Sequence, residues 1–104
     1  MTTSRIDTLM RLLAQDPADG TSHYMLGHEY FKAQKFAEAV AALQRYLQLA
    51  EDEGAAYRML AQSLERLGKI DEARQAYRNG LAAATRLGYQ PLIDEYAEAL
   101  RGME

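Results

Sequence analysis

The residues of this chain that could do chemistry are few, and their spacing does not assemble a catalytic or metal site. His23 and His28 lie five positions apart. On a helix this spacing separates two side chains by about 140° around the axis, so the pair cannot share a metal ion as an i, i+4 pair can. Ser22 and Ser63 lack a glycine-flanked elbow, and no glycine-rich loop precedes a helix to bind phosphate. We expect no enzyme activity, no metal site and no cofactor.

The remaining candidates have structural explanations. The carboxylate pairs at positions 71–72 and 94–95 fall where helices are predicted to start, and there they complement the helix dipole. His23 is predicted to pack in the core between two helices rather than to bind a ligand. An enzyme with an unrecognised site would depend on His28 or Glu29, and this remains the least favoured alternative.

The composition favours an all-α fold. The 104 residues contain 18 alanines and 14 leucines but only four valines and isoleucines, too few for a β-sandwich or barrel. The net charge of −3 is not typical of a nucleic-acid-binding surface. No window approaches the roughly 20 apolar residues that span a bilayer, and the first 15 residues have no signal-peptide pattern. We therefore expect one cytoplasmic domain over 1–104 that binds neither nucleic acid nor membrane.

No proline, the strongest helix breaker, occurs between Pro17 and Pro91. Glycines are therefore the residues that mark the turns between helical segments in this stretch. In the second segment His23, Leu26 and Tyr30 share one helix face with Gly27. Six helices are predicted, at 4–15, 21–33, 36–50, 55–67, 70–86 and 91–102.

Two parts of the chain repeat one another with a period of 34 residues. When residues 20–53 are aligned with 54–87 without a gap, nine positions are identical, where about three would be expected by chance. The identical pairs include Leu26/Leu60 and Ala39/Ala73. The chain therefore contains an internal duplication, here called the first repeat (20–53) and the second repeat (54–87).

The two repeats resemble the tetratricopeptide repeat (TPR) family and, in particular, small stand-alone bacterial TPR proteins. The family pattern has a large residue, then Leu-Gly or Leu-Ala, then Tyr, with Ala and an aromatic residue in a second helix. The matching positions are His23, Leu26-Gly27, Tyr30, Ala39 and Leu43 in the first repeat, and Tyr57, Leu60-Ala61, Leu64, Ala73 and Tyr77 in the second. The usual tryptophan is absent, and Glu51 and Thr85 replace the closing proline.

The resemblance implies a right-handed superhelical stack of antiparallel helix pairs. Small residues at Gly27 or Ala61 and at Ala39 or Ala73 would let the two helices of each repeat cross closely. The expected organisation is an N-terminal helix and loop over 1–19, the two repeats, and a C-terminal capping helix over 88–104.

The resemblance also implies a non-catalytic adaptor that binds a peptide segment or helix of another protein in a concave groove. The groove residues predicted from the helix spacing are Tyr24, His28, Phe31, Lys32, Arg58, Gln62 and Arg66. Aromatic and arginine side chains are typical of binding hot spots. A ligand with an apolar anchor near Tyr24 and Phe31 and an acidic group near Arg58 and Arg66 would fit. The alternative is a homodimer that uses the same aromatic stripe as its interface.

Overall fold

The computed structural model describes residues 4–52 and 54–103. Over these residues the chain forms six α-helices and no strand, which confirms the all-α prediction. Each predicted helix is present, with both ends within one residue of the expected position. The helices are α1 (Arg5–Gln15), α2 (Gly20–Lys32), α3 (Phe36–Leu49), α4 (Ala55–Arg66), α5 (Ile70–Leu87) and α6 (Gln90–Gly102).

Short polar side chains cap the N-termini of three of the helices. Ser4 caps α1 by accepting a 3.0 Å hydrogen bond from the Asp7 amide, and the Asp19 carboxylate accepts the Ser22 amide at the start of α2. Before α4, the Asp52 carboxylate accepts the amides of Gly54 at 2.8 Å and Ala56 at 3.0 Å. These bonds satisfy amides that have no partner inside the first helical turn.

The chain divides into two compact units of three helices each, the N-terminal unit (Met1–Glu51) and the C-terminal unit (Asp52–Glu104). The division falls two residues before the predicted boundary between the repeats. The prediction of one domain with four segments stays a prediction.

In the N-terminal unit, α2 packs antiparallel to α3, with α1 packed on α2. Gly27 lies against Leu43 in the middle of this pair, and a Cβ at Gly27 would lie 2.7 Å from Leu43 Cγ. A larger residue at position 27 would therefore push the helices apart. Leu9, Leu26 and Ala42 join the three helices in one buried cluster, onto which Ile6, Leu13, Met25 and Tyr30 pack.

In the C-terminal unit, α5 packs against both α4 and α6. The close approach is at Gly80, where a Cβ would lie 2.8 Å from Tyr57 Cβ and 2.8 Å from Tyr96 Cε2. Tyr96 is fully buried, and its hydroxyl donates a hydrogen bond to the carbonyl of Gly54. Burial raises the pKa of Tyr96 to about 12, so the phenol is neutral at physiological pH.

Candidate protein-binding surfaces

The predicted aromatic residues of α2 lie along the seam with α3. The Tyr24 ring meets Tyr46 edge-on with centroids 5.0 Å apart, and the Phe31 ring meets Phe36 at 5.9 Å. Both side chains of α2 are half-buried. Each ring thus contributes to the packing of the N-terminal unit and keeps part of its area at the surface.

Two polar residues complete this α2 surface, which we define as Tyr24, His28, Phe31 and Lys32. The side chains of His28 and Lys32 are 50% and 60% exposed, and both approach Glu29. Lys32 Nζ lies 3.4 Å and His28 Nδ1 lies 3.7 Å from Glu29 Oε2. Arg5 of α1 is also near, with its Nε 3.6 Å from the same oxygen. Three basic side chains therefore surround one carboxylate whose side chain is only 15% exposed.

The cations around Glu29 keep it charged. Burial acts to raise the pKa of this carboxyl, but the charge and hydrogen bond of Lys32, the charge of Arg5 and the hydrogen bond of His28 outweigh it. The net effect is a pKa below the ordinary value for glutamate. Glu29 is thus an ionised residue in contact with both His28 and Lys32.

The α4 surface, defined as Arg58, Gln62 and Arg66, lies on the C-terminal unit. Arg58 forms a bidentate ion pair with Glu95 of α6, in which Nη2 donates to Oε1 at 2.7 Å and Nε donates to Oε2. Gln62 and Arg66 are exposed. An acidic group of a partner near Arg58 would have to displace Glu95 or share the guanidinium with it.

The prediction that His23 packs in the core is met only in part. Its side chain is half-buried, and its Nε2 lies 2.9 Å from the carbonyl oxygen of Pro17. Because this bond ties the start of α2 to the loop after α1, the ring stays at the edge of the helix pair. The buried positions of that face are taken by Leu26 and Gly27 instead.

Two polar partners of these surfaces were missed by sequence reasoning. Glu29 had a visible signal, since it is three residues before Lys32 and such pairs face each other on a helix. Glu95 had none, because its partner Arg58 is 37 residues away on another helix. Among the described residues no group of three His, Cys, Asp or Glu is placed to hold a metal ion. No helix within the same ranges is long and apolar enough to cross a membrane.

Comparison with known proteins gives one family and a similar solved structure. The family model described as anaphase-promoting complex, cyclosome, subunit 3 matches residues 4–80. The solution structure of a protein from Bordetella parapertussis superposes with a TM-score of 0.80 at 28% sequence identity, covering 98% of this chain and 89% of the other. No curated protein sequence matches significantly.

The family match covers both helices of the first repeat and most of the second. Families of such TPR-like repeats generally mediate protein–protein interaction and are generally non-catalytic. Together with the 34-residue period and the helix pairs, the match shows that this chain belongs to the family of anaphase-promoting complex subunit 3, a TPR-like repeat family.

Proposed function

We propose that this chain is a non-catalytic cytoplasmic adaptor that binds a segment of a partner protein through the α2 surface of the N-terminal unit, with the α4 surface of the C-terminal unit as a separate contact surface. The observation that carries the proposal is the composition of the α2 surface. Two aromatic rings with remaining exposed area stand beside two exposed basic side chains, His28 and Lys32. Aromatic anchors next to polar and basic groups are the residue types that dominate binding energy at protein interfaces.

The chemistry of the two surfaces suggests the chemistry of the partner segment. The edges of Tyr24 and Phe31 favour an apolar or aromatic anchor. Lys32 favours an acidic group next to that anchor, and Arg58 and Arg66 favour acidic groups at the α4 surface. Because Glu29 and Glu95 already contact Lys32 and Arg58, an acidic partner group competes with an internal one. The resulting affinity should be modest, on the order of micromolar.

Capture of partners from native lysate by purified, tagged protein tests the proposal. The variant His28→Ala/Lys32→Ala removes the two most exposed side chains of the α2 surface, while Gln62→Ala/Arg66→Ala probes the α4 surface. We expect both to lose a partner that the wild-type chain retains. Tyr24 and Arg58 are less suitable targets, because Tyr24 packs on Tyr46 and Arg58 pairs with Glu95.

The matched control is Arg11→Ala/Gln44→Ala, which removes one basic and one polar side chain from exposed positions on α1 and α3. A partner that the control loses as completely as the surface variants would contradict the proposal, and so would one retained by all three. Sedimentation over a range of protein concentrations tests the homodimer alternative. A dimer that dissociates in His28→Ala/Lys32→Ala would mean that the α2 surface binds a second copy rather than another protein.

A further inference from the structure

The N-terminal unit has a second surface feature, on a different face of α2 from the α2 surface. A cleft of about 290 Å³ runs along the side of α2 and α3. It is lined by Leu26 and Ala42, which are 8% and 6% exposed, and by His23, Tyr30 and Ala41. Most of the lining surface is apolar, so a ligand that fills the cleft would be held mainly by burial of apolar surface.

The apolar area continues beyond the cleft onto α1. Met10 is 52% exposed, and its sulfur lies 3.9 Å from the Tyr30 hydroxyl. A flexible methionine at the edge of an apolar cleft can adjust to side chains of different shape. The surface available to a partner is therefore longer than the cleft itself and runs along three helices.

The two ends of the cleft carry opposite charges. Glu38 and Arg45 both line it, and they lie seven residues apart on one face of α3, which corresponds to about 10 Å along the helix axis. Glu38 forms no ion pair with any residue in the described ranges, and Arg45 donates a hydrogen bond to the neutral side chain of Gln48 at 3.0 Å. Neither charge is neutralised by an oppositely charged residue among those described.

The surroundings of the cleft favour a helical ligand over an extended one. The backbone amides and carbonyls of α2 and α3 are used inside their helices, so no free strand edge is offered for an extended peptide. The small side chains of Ala41 and Ala42 allow a helix to approach closely, as Gly27 allows within the unit.

We propose that this cleft binds an amphipathic helix of a partner protein whose apolar stripe is flanked, two turns apart, by one basic and one acidic side chain. The apolar stripe fills the cleft over Leu26 and Ala42. The basic side chain pairs with Glu38 and the acidic one with Arg45. The charges set the register of the bound helix, and the apolar stripe supplies most of the affinity.

Synthetic helices test this proposal directly. The probe is an alanine-based peptide of about 18 residues with leucines along one face and a Lys and a Glu seven positions apart beside them. Two companion peptides carry Lys at both positions or Glu at both. Binding to the full chain is measured by fluorescence anisotropy, and the site is located by amide chemical shifts. We expect the Lys–Glu peptide to bind most tightly and to shift Tyr30, Ala41 and Ala42.

Charge exchange on the protein gives the sharper result. The E38K variant should prefer the Glu–Glu peptide and the R45E variant the Lys–Lys peptide, each by about threefold to tenfold. If both variants still prefer the Lys–Glu peptide, the proposed register is wrong. Failure of every peptide to bind at millimolar concentration overturns the proposal as well.

Filling the cleft provides a control for the site. Ala41→Arg places a long side chain in the cleft from an exposed helical position and should weaken binding at least about tenfold. Ala82→Arg makes the same change at an exposed helical position of α5 in the other unit and should leave binding unchanged. Wild-type affinity for Ala41→Arg, or peptide-induced shifts confined to Tyr24, His28 and Phe31, would contradict the proposal. Shifts at Ala41 that follow protein concentration without peptide would assign the cleft to a second copy and refute it too.

Discussion

The two repeats share a period and nine identical residues, yet their helix pairs pack through different residues. In the first repeat, the residue at the helix crossing is Gly27 on the first helix, and it lies against Leu43 on the second. The second repeat has Ala61 and Tyr77 at these two positions, both buried. A larger pair therefore occupies the crossing of the second repeat, so its helices cannot pack in an identical way.

A second difference, in the opposite direction of side-chain size, lies one turn further along the second helix of each repeat. Position 46 of the first repeat is a tyrosine that packs on Tyr24, whereas the equivalent position of the second repeat is Gly80. The space beside Gly80 is filled by the ring of Tyr96 from α6. The duplicated pattern thus preserves the helix pair, while the glycine at position 80 provides the space into which the ring of Tyr96 packs.

Loss of Tyr96 is the largest effect that this comparison predicts. Tyr96→Ala should lower the free energy of unfolding by about 3–5 kcal/mol, because it removes a fully buried ring and leaves a cavity next to Gly80. Tyr46→Ala removes the ring at the first-repeat position that aligns with Gly80 and should cost less, because that ring is only half-buried. Urea unfolding followed by circular dichroism measures both. Equal losses would mean that the two tyrosine sites are not packed differently.

The two tight glycines should respond differently to an added methyl group. Gly80→Ala should cost about 1–3 kcal/mol, because the new Cβ meets the Cβ of Tyr57, which is fixed to the backbone, and the ring of Tyr96. Gly27→Ala brings its new Cβ within 3 Å of Cγ and Cδ2 of the buried Leu43 but only within 3.5 Å of the backbone, so a shift of that one side chain relieves the contact and the cost should be smaller. Gly102→Ala is the control, since nothing lies within 4 Å of its new Cβ. In thermal unfolding, a Gly80→Ala variant as stable as Gly102→Ala would refute the close approach.

Two buried serines extend the comparison to hydrogen bonding. Ser22 in the first repeat donates to the Asp19 carboxylate at 2.7 Å, whereas the hydroxyl of Ser63 in the second is buried with no hydrogen-bond partner among the described residues. Ser22→Ala should therefore cost about 0.5–1.5 kcal/mol, and Ser63→Ala should be neutral or stabilising. Chemical denaturation of the two variants decides this. A marked loss on Ser63→Ala would indicate that its hydroxyl is satisfied in solution.

The smallest expected effect concerns acid stability. Hydrogen bonds from the side chain and amide of Ser22 lower the pKa of Asp19 below its ordinary value of 3.8. The ionised cap therefore stabilises the folded state above that value, and this contribution is lost as the pH falls through the lowered pKa. Asp19→Asn keeps a hydrogen-bond acceptor without the charge, so its stability should fall less between pH 6 and about pH 3. Urea midpoints at the two pH values, compared with the wild type, measure the difference. An unchanged pH dependence in Asp19→Asn would rule out a contribution from this cap.

Helix positions could be predicted from the sequence because they depend on local signals. Glycines, prolines and apolar spacing placed both ends of every helix within one residue. The aligned repeats could also indicate which alanines are buried, and Ala39, Ala61 and Ala73 are fully so. These features depend on residues that are close in sequence or that recur with the 34-residue period.

Contacts between helices were harder to predict. The tight contact at Gly80 was missed because the alignment pairs this glycine with Tyr46, so it looked like an ordinary difference between repeats. The pairing of Arg58 with Glu95 depends on how α6 packs, which no period in the sequence records. His23 was assigned to the core from its position on the helix face, but it is only half-buried and its ring nitrogen contacts the Pro17 carbonyl. Which polar groups are free to bind a partner depends on such tertiary contacts.

The contact at Gly80 also limits how the repeats of this chain can be exchanged. If residues 20–53 replaced 54–87, a tyrosine would stand at the position of Gly80 and its ring would occupy the volume that Tyr96 fills. The closing helix α6 would then have no space in which to pack its Tyr96 ring, although the helices of both repeats could still form. Any exchange of the two repeats therefore has to keep a glycine at the position that faces Tyr96.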